Sequence, residues 1–291
     1  RLCRWRLASH RRHCHRVNTV ALPRWRIVDG ARRLGLHLDG AALDAYERYA
    51  ALLADGRQRL NLTTIVEPSD VAEKLFLDSL TAVLGMAAVP LPGARLIDVG
   101  TGAGFPGVPL AVALPQVGVT LLDATTRKVQ WVDDAVQRVG IRNAWGAVGR
   151  AEELGHHPGW RGQFDIATAR AVAPLATLAE LLIPLVRPGG AAIALKTAST
   201  VDEEVEAARV ALSEVGGAVA RVMHVPEDLL PNRAIVTLVR IGDVPQKYPR
   251  RSGMPAHLPL GSRVVTRTQV VAQKQARTTA WWYGPFDLAE D

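Results

Sequence analysis

Two acids, Asp98 and Asp123, each close a short apolar run, and the first runs straight into glycines 100, 102, 104 and 107 of "LIDVGTGAGFPG", residues 96–107. Glycines at that spacing let a backbone take positive φ and let a ligand approach its amides, and a helix that follows offers unpaired N–H groups to an anion. The turn therefore reads as a small-molecule site cradled by Gly100, Gly102 and Gly104, with Pro106 in the first helical turn, where no N–H is needed. The stretch "GAGFPG", residues 102–107, also satisfies the dinucleotide pattern G-x-G-x-x-G. An acid just before the turn suits a ligand with an ammonium group and repels a pyrophosphate. S-adenosylmethionine carries such an ammonium, together with a carboxylate for the helix end. Asp123 suits ribose hydroxyls, which both ligand classes possess. Turn capping is the competing reading of both acids.

Other chemistry is scarcer. Residues 15–291 contain no cysteine, which removes a thiolate nucleophile and disulfides from nearly the whole chain. Cys3 and Cys14, near His10, His13 and His15, match no zinc-finger spacing, so no metal site is expected. Lys196, Arg250 and Arg251 are candidates for RNA phosphates. Trp131 reads as packing, and His156 and His157 as part of a solvated turn beside Pro158 and Gly159.

The elements that must position these residues follow from periodicity. Residues 41–56 and 71–86 read as helices, the first with Gly56 at its C-terminal cap. Beyond "VPLPGA", strands and helices alternate: strands at 95–99, 119–123, 144–148, 164–169 and 191–196, and helices at 108–113, 127–139 and 175–185. A further helix follows Thr200, where "TVDE" reads as a capping box closed by Glu203. Two late apolar runs, "AVARVMHV" and "AIVTLVRI", read as an antiparallel hairpin at the sheet edge. Repeated strand-helix units imply an α/β fold with a mostly parallel sheet covered on both faces.

Composition is that of a globular protein, 48% hydrophobic and 22% charged over 291 residues, with no apolar run long enough to cross a bilayer. A cytoplasmic location is expected. The net charge of +7 is concentrated: residues 1–30 hold eight arginines and one aspartate, so the remainder is neutral. Residues 1–40 read as a basic arm, with three candidate origins: RNA contact, a solvated tail, or a mis-set start, since the first methionine is Met86.

Together the motifs carry a resemblance. They are "NLT" at 61–63, "FLDSL" at 76–80, "DVGTGAGFPGVPLA" from Asp98, "VTLLD" with "RKVQWV", "RAEEL" at 150–154, "ARAVAPL" at 169–175, "LKT" at 195–197 and "KYPRRSGMPAHLPL" at 247–260. The chain resembles the bacterial small-subunit ribosomal RNA guanine-N7 methyltransferases, also called glucose-inhibited division protein B. That resemblance implies a Rossmann-like, S-adenosylmethionine-dependent methyltransferase with a seven-stranded sheet, preceded by a small helical region. The resemblance spans residues 46–260; with the charge and periodicity it leaves the chain reading as the arm (1–40), the helical region (41–90), the methyltransferase domain (91–260) and a tail (261–291) outside the resemblance. It assigns Gly100 and Phe105 to the cofactor loop, Ala151 and Glu152 to the segment meeting the adenine, and Arg170 to binding at the mouth of the fourth strand. The chain departs from the family at Leu75, where His is frequent, at Thr101 (Ser) and at Thr197 (Gly).

The chemistry of base methylation is consistent with that expectation. Cytosine C5 transfer needs a cysteine. Amino-nitrogen transfer commonly uses an Asn/Asp-Pro-Pro-aromatic loop, whereas here the fourth strand leads into "RAVAP". Guanine N7 has a lone pair and no proton to lose, so catalysis is mainly positioning. Arg150 or Arg170 then holds guanine O6 or a phosphate. The expected partner is small-subunit ribosomal RNA, free or in a ribosomal particle, with no obligate protein partner. A nicotinamide-dependent oxidoreductase and a non-catalytic RNA-binding protein are the alternatives.

Overall fold

The computed structural model describes residues 21–262, and its sheet runs in the order β3-β2-β1-β4-β5-β7-β6. The strands are β1 (Arg95–Val99), β2 (Gly118–Asp123), β3 (Ala144–Val148), β4 (Phe164–Arg170), β5 (Val186–Thr197), β6 (Gly217–His224) and β7 (Arg233–Arg240). The first five pair in parallel, and β7 runs antiparallel to both β5 and β6. This is the expected α/β architecture of seven strands with an antiparallel edge. The late hairpin is not laid down in chain order, however, because β7 inserts between β5 and β6.

The helices are α1 (Arg24–Arg33), α2 (Gly40–Leu60), α3 (Pro68–Asp70), α4 (Asp78–Leu80), α5 (Gly107–Ala113), α6 (Thr126–Val139), α7 (Ala151–Leu154), α8 (Leu175–Leu182), α9 (Val201–Glu214) and α10 (Met254–His257). Between α3 and α4 the backbone widens into a π-helical stretch, Val71–Leu77, and beyond α4 it tightens into a 3-10 turn, Thr81–Gly85. Side chains alternate across the sheet as strand geometry demands. Leu96, Leu121, Ile166 and Ile193 join a core with α2, α5, α6 and residues 71–86, while Ile97, Leu122, Ala167 and Ala192 face α8 and α9. The valine face of α6, Val129, Val132, Val136 and Val139, is buried as its spacing predicts.

Four sequence expectations are corrected. Residues 24–33, assigned to the basic arm by charge, form α1, because Ile27, Gly30 and Ala31 make a buried face. Its arginines meet acids from elsewhere: Arg24 bonds Asp44 and Glu47, Arg26 bonds Glu73, and Arg33 bonds Asp228. Gly56 does not end α2. It lies inside the helix, where an added Cβ would stand 2.3 Å from Trp131 Nε1. The capping box before α9 does not form, since the Thr200 hydroxyl donates to the Thr197 carbonyl at 3.4 Å. Finally, the strand expected at 191–196 begins already at Val186, so β5 takes in "RPGG" at 187–190.

Two cores meet the sheet, but the N-terminal helices do not form a core of their own. Tyr46 and Tyr49 of α2 are fully buried against the sheet layer, their hydroxyls donating to the carbonyls of Pro109 and Ala103, each at 2.9 Å. Tyr49 thereby touches the glycine turn itself. Cys3, Cys14 and the nearby histidines, where no metal site is expected, lie outside the described residues, as does the tail beyond Ser262. Among the described residues no group of His, Cys, Asp or Glu is arranged to hold a metal. No described helix is long and apolar enough to cross a membrane.

Candidate active site

In a doubly wound sheet the ligand crevice lies beyond the carboxyl ends of the strands, where the strand order reverses. Here the reversal falls between β1 and β4, and the glycine turn leaves β1 at that point. Gly100, Gly102 and Gly104 all have positive φ, at 72°, 56° and 85°. Their reasons differ. A Cβ at Gly104 would stand 2.4 Å from Tyr49 Oη and 2.7 Å from Val108 Cγ2, so this glycine permits packing. A Cβ at Gly102 would meet nothing nearer than the Gly100 carbonyl at 3.9 Å, so this glycine borders open space.

Both acids lie beneath the turn, where they shape it. Asp98 is fully buried; its Oδ2 accepts from the Thr101 hydroxyl at 2.7 Å and the Gly107 N–H at 2.8 Å, and its Oδ1 has no donor. Burial pushes the carboxyl up to about 6, against the pull of those two donors and of the Arg170 charge. Direct contact with a ligand ammonium, the sequence expectation, is therefore corrected: the carboxylate is an internal strut. Asp123 accepts from the Gly102 N–H at 3.0 Å and the Thr125 N–H at 2.8 Å, the capping role that competed with ribose binding, although its oxygens retain acceptor capacity.

The amides of the turn tell a further story. Those of Gly100 and Thr101 donate to the Leu122 carbonyl, those of Gly104 and Phe105 to Thr101, and that of Val108 to Gly104. With Gly102 on Asp123 and Gly107 on Asp98, the amides at the start of α5 are already bonded, so the expected anion cradle is absent. A pyrophosphate would find an acid there where it requires donors.

Two cavities flank Arg170, the last residue of β4. One, of about 370 Å³, is bordered by residues 62–65, the turn residues Gly100, Thr101, Gly102, Ala103 and Phe105, and Leu75. The other, of about 380 Å³, is bordered by Lys74, Asp78, Lys196, Thr197, Glu204 and Arg233. Ile65, Leu75, Arg170 and Ala171 border both. Ala171 holds φ 54°, an unusual conformation for a residue with a side chain, and it turns the chain at this junction.

Arg170 is held from three sides. Its Nη1 donates to Asp78 Oδ2 at 3.0 Å and to the Lys74 carbonyl at 2.9 Å, and its guanidinium lies 5.4 Å from the Phe105 ring centroid. The π-helical stretch makes this possible. The Asp78 N–H reaches back to the carbonyls of Glu73 and Leu75, passing over that of Lys74, which Arg170 then takes. Asp78 Oδ1 accepts from Arg233 Nε at 2.9 Å, so one buried carboxylate fixes two guanidinium groups.

The remaining predicted residues divide. Phe105 is buried among Tyr49 and Phe76 and borders the first cavity. Lys196 does border the second cavity, but its ammonium is bonded to Glu204 Oε2 at 2.6 Å and the Ala173 carbonyl at 2.8 Å, which corrects its reading as a free phosphate contact. Arg250 is corrected more firmly: it grips the fully buried Glu180 with Nε and Nη2 and pairs there because a lone buried carboxylate would be costly. That carboxylate also raises the pKa of Arg250. Arg251 is exposed, 4.0 Å from Met254 Sδ. Arg150, also exposed, precedes α7 and borders neither cavity, and neither do Ala151, which is buried, or Glu152, which accepts from the Gly253 N–H at 2.9 Å. Sequence reasoning missed Asp78, Arg233 and Glu204. Only the first had a signal, as the acid of "FLDSL".

This geometry agrees with the chain's relatives. The family described as rRNA small subunit methyltransferase G matches residues 42–233. "Ribosomal RNA small subunit methyltransferase G" of Deinococcus radiodurans is 41% identical over 236 residues, covering 79% of this chain and 90% of that protein. Its namesake of Roseiflexus castenholzii is 39% identical over 226 residues, covering 78% and 95%. A third, of Dehalococcoides mccartyi strain CBDB1, is 39% identical over 235 residues, covering 80% and 98%. With a sheet reversing at the glycine turn and sequence identity running across nearly the whole of these relatives, the chain belongs to the rRNA small subunit methyltransferase G family.

Proposed function

We propose that the chain transfers a methyl group from S-adenosylmethionine to N7 of a guanine in small-subunit ribosomal RNA, free or in a ribosomal particle, in the cytoplasm. The observation that carries this reading is the pair of cavities meeting at Arg170, one floored by the glycine turn and the other rich in cations. The turn suits the methyl donor in that Gly102 leaves space for a ligand against the backbone, while the bonded amides of α5 leave no site there for a pyrophosphate or for the donor's own carboxylate, which must find its donors elsewhere. Gly100, Gly102, Ala103 and Phe105 would hold the donor, with Asp123 toward its ribose hydroxyls and the Asp98 charge acting from beneath. Once bound, S-adenosylmethionine supplies an electrophilic methyl on a sulfonium.

The second cavity would take the base. Lys74, Arg170, Lys196 and Arg233 are paired with three acids, Asp70, Asp78 and Glu204, which leaves an excess of one positive charge, a balance that favours an RNA segment with its phosphates. N7 carries no proton, so these residues need no general base among them; their task is orientation and exclusion of water. Arg170 stands at the junction with its charge offset by Asp78. That offset lessens repulsion of the cationic product base, and the fixed guanidinium can meet O6 or a phosphate edge-on. Calorimetric titration tests the donor: heat is expected with S-adenosylhomocysteine and none with NAD. Nucleoside analysis of small-subunit RNA after incubation with methyl donor should reveal 7-methylguanosine, and heat with NAD alone, or RNA left unmodified, would sink the reading.

A further inference from the structure

We infer that Glu204 is the specificity residue that tells guanine from adenine, its Oε1 accepting from the N1–H and 2-amino donors of the base. The inference rests on the reading above that the base enters the second cavity. That cavity contains two carboxylates, and they are not equivalent. Asp78 has a guanidinium donor on each oxygen. Glu204 uses only Oε2, which accepts from Lys196 Nζ at 2.6 Å and from the Leu175 N–H at 2.9 Å. Among the described residues nothing donates to Oε1, and the side chain retains 24% exposure.

Those two bonds do more than neutralise the acid. One comes from β5 and the other from the first amide of α8, so the carboxylate is gripped on one side by two separate elements. Its second oxygen is held ready, with little rotamer freedom left to lose on binding. Placement adds the direction. Glu204 borders only the second cavity, whereas Arg170 and Ala171 border both. In a purine, N7 and the N1/C2 edge lie on opposite sides of the ring system. A base whose N7 faces the junction therefore turns its N1/C2 edge away from the glycine turn, to the wall that Glu204 helps to form. Guanine presents two donors there. Adenine presents an N1 lone pair and no amino group at C2, so it would set a lone pair against Oε1.

The test pairs a change in the protein with a change in the base. Glu204→Gln is the variant, because Lys196 and the Leu175 amide still need an acceptor and will draw the amide oxygen to themselves. An NH2 group then stands where Oε1 stood. The RNA partner carries inosine, which lacks the 2-amino group, at the position the wild-type enzyme methylates, introduced by ligation into the same small-subunit RNA.

For the wild type, kcat/KM should fall roughly tenfold or more from guanosine to inosine, the scale of one charge-assisted hydrogen bond. For E204Q, activity on guanosine should fall by a similar factor, the guanosine-to-inosine contrast should collapse to about twofold, and S-adenosylhomocysteine affinity should be unchanged. A merely structural role would lower both substrates equally and preserve the contrast. A preserved contrast in E204Q, or its absence in the wild type, overturns the inference. Should E204Q lose S-adenosylhomocysteine binding, Glu204→Asp replaces it, keeping a charge for Lys196 while drawing the carboxylate back by one methylene, with the same loss of contrast expected. A wild-type enzyme that makes no 7-methylguanosine overturns the functional reading itself, an outcome visible before any inosine substrate is used.

Discussion

Asp98 is a carboxylate kept where a carboxylate is unwelcome. Its pKa of about 6 arises first from burial, so the fold favours the protonated form. That contribution to stability is complete below about pH 4 and is lost as pH rises through 6, leaving a cost of up to about 3 kcal/mol at neutral pH. Asp98→Asn, which mimics the protonated acid, should match the wild type near pH 4 and exceed it at pH 8 by up to that amount in denaturant melts. An unchanging difference across that range would contradict this account. Asp78 is also buried, and its carboxylate is bonded by two guanidinium groups. Asp78→Asn should cost about 1–3 kcal/mol in chemical denaturation, and it should lower kcat/KM for RNA methylation more than it weakens S-adenosylhomocysteine binding. Both acids sit within motifs and both are buried, so it is their partners, a hydroxyl and an amide for Asp98 and two guanidinium groups for Asp78, that distinguish a strut from a clamp.

Elements decide how the glycine turn is held. α2 reaches it through the Tyr49 hydroxyl, and the π-helical stretch gives up one carbonyl to Arg170. Gly104 and Gly102 are therefore unequal, although both have positive φ. Gly104→Ala forces a Cβ against Tyr49 and Val108 and should destabilise by roughly 2–3 kcal/mol, as overpacking does. Gly102→Ala meets no neighbour and should cost about 1 kcal/mol from its backbone conformation alone, yet weaken S-adenosylhomocysteine binding by blocking the cavity floor. Thermal melts and calorimetry on the two variants separate these outcomes, and equal effects on stability would refute the distinction. The strand-helix alternation was legible because apolar periodicity and glycine breaks are local. The widened turn at Val71–Leu77 was not, because "VAEKLFL" has ordinary helical spacing and its register change answers to Arg170 on a distant strand.

At the scale of the whole molecule, one apolar cluster runs from Leu22 and Ile27 through α2 to β1, β2 and β5. The N-terminal helices and the sheet should consequently unfold together. In a variant whose other six tryptophans are replaced by Phe, Trp131 fluorescence, which reports the α2–α6 contact with Tyr49, and far-ultraviolet circular dichroism are expected to give coincident transitions; separate midpoints would show a helical region folding independently. The sequence by itself determined the alternating α/β order, the place of the turn after the first strand, and the family motifs, since each depends on spacing within a few residues. Only the tertiary structure decided that Asp98 lies under the turn, that Lys196 and Arg250 are paired, and that Asp78, Arg233 and Glu204 gather around one cavity. The physical reason is that burial and pairing are properties of neighbours, and these neighbours come from strands and helices far apart along the chain.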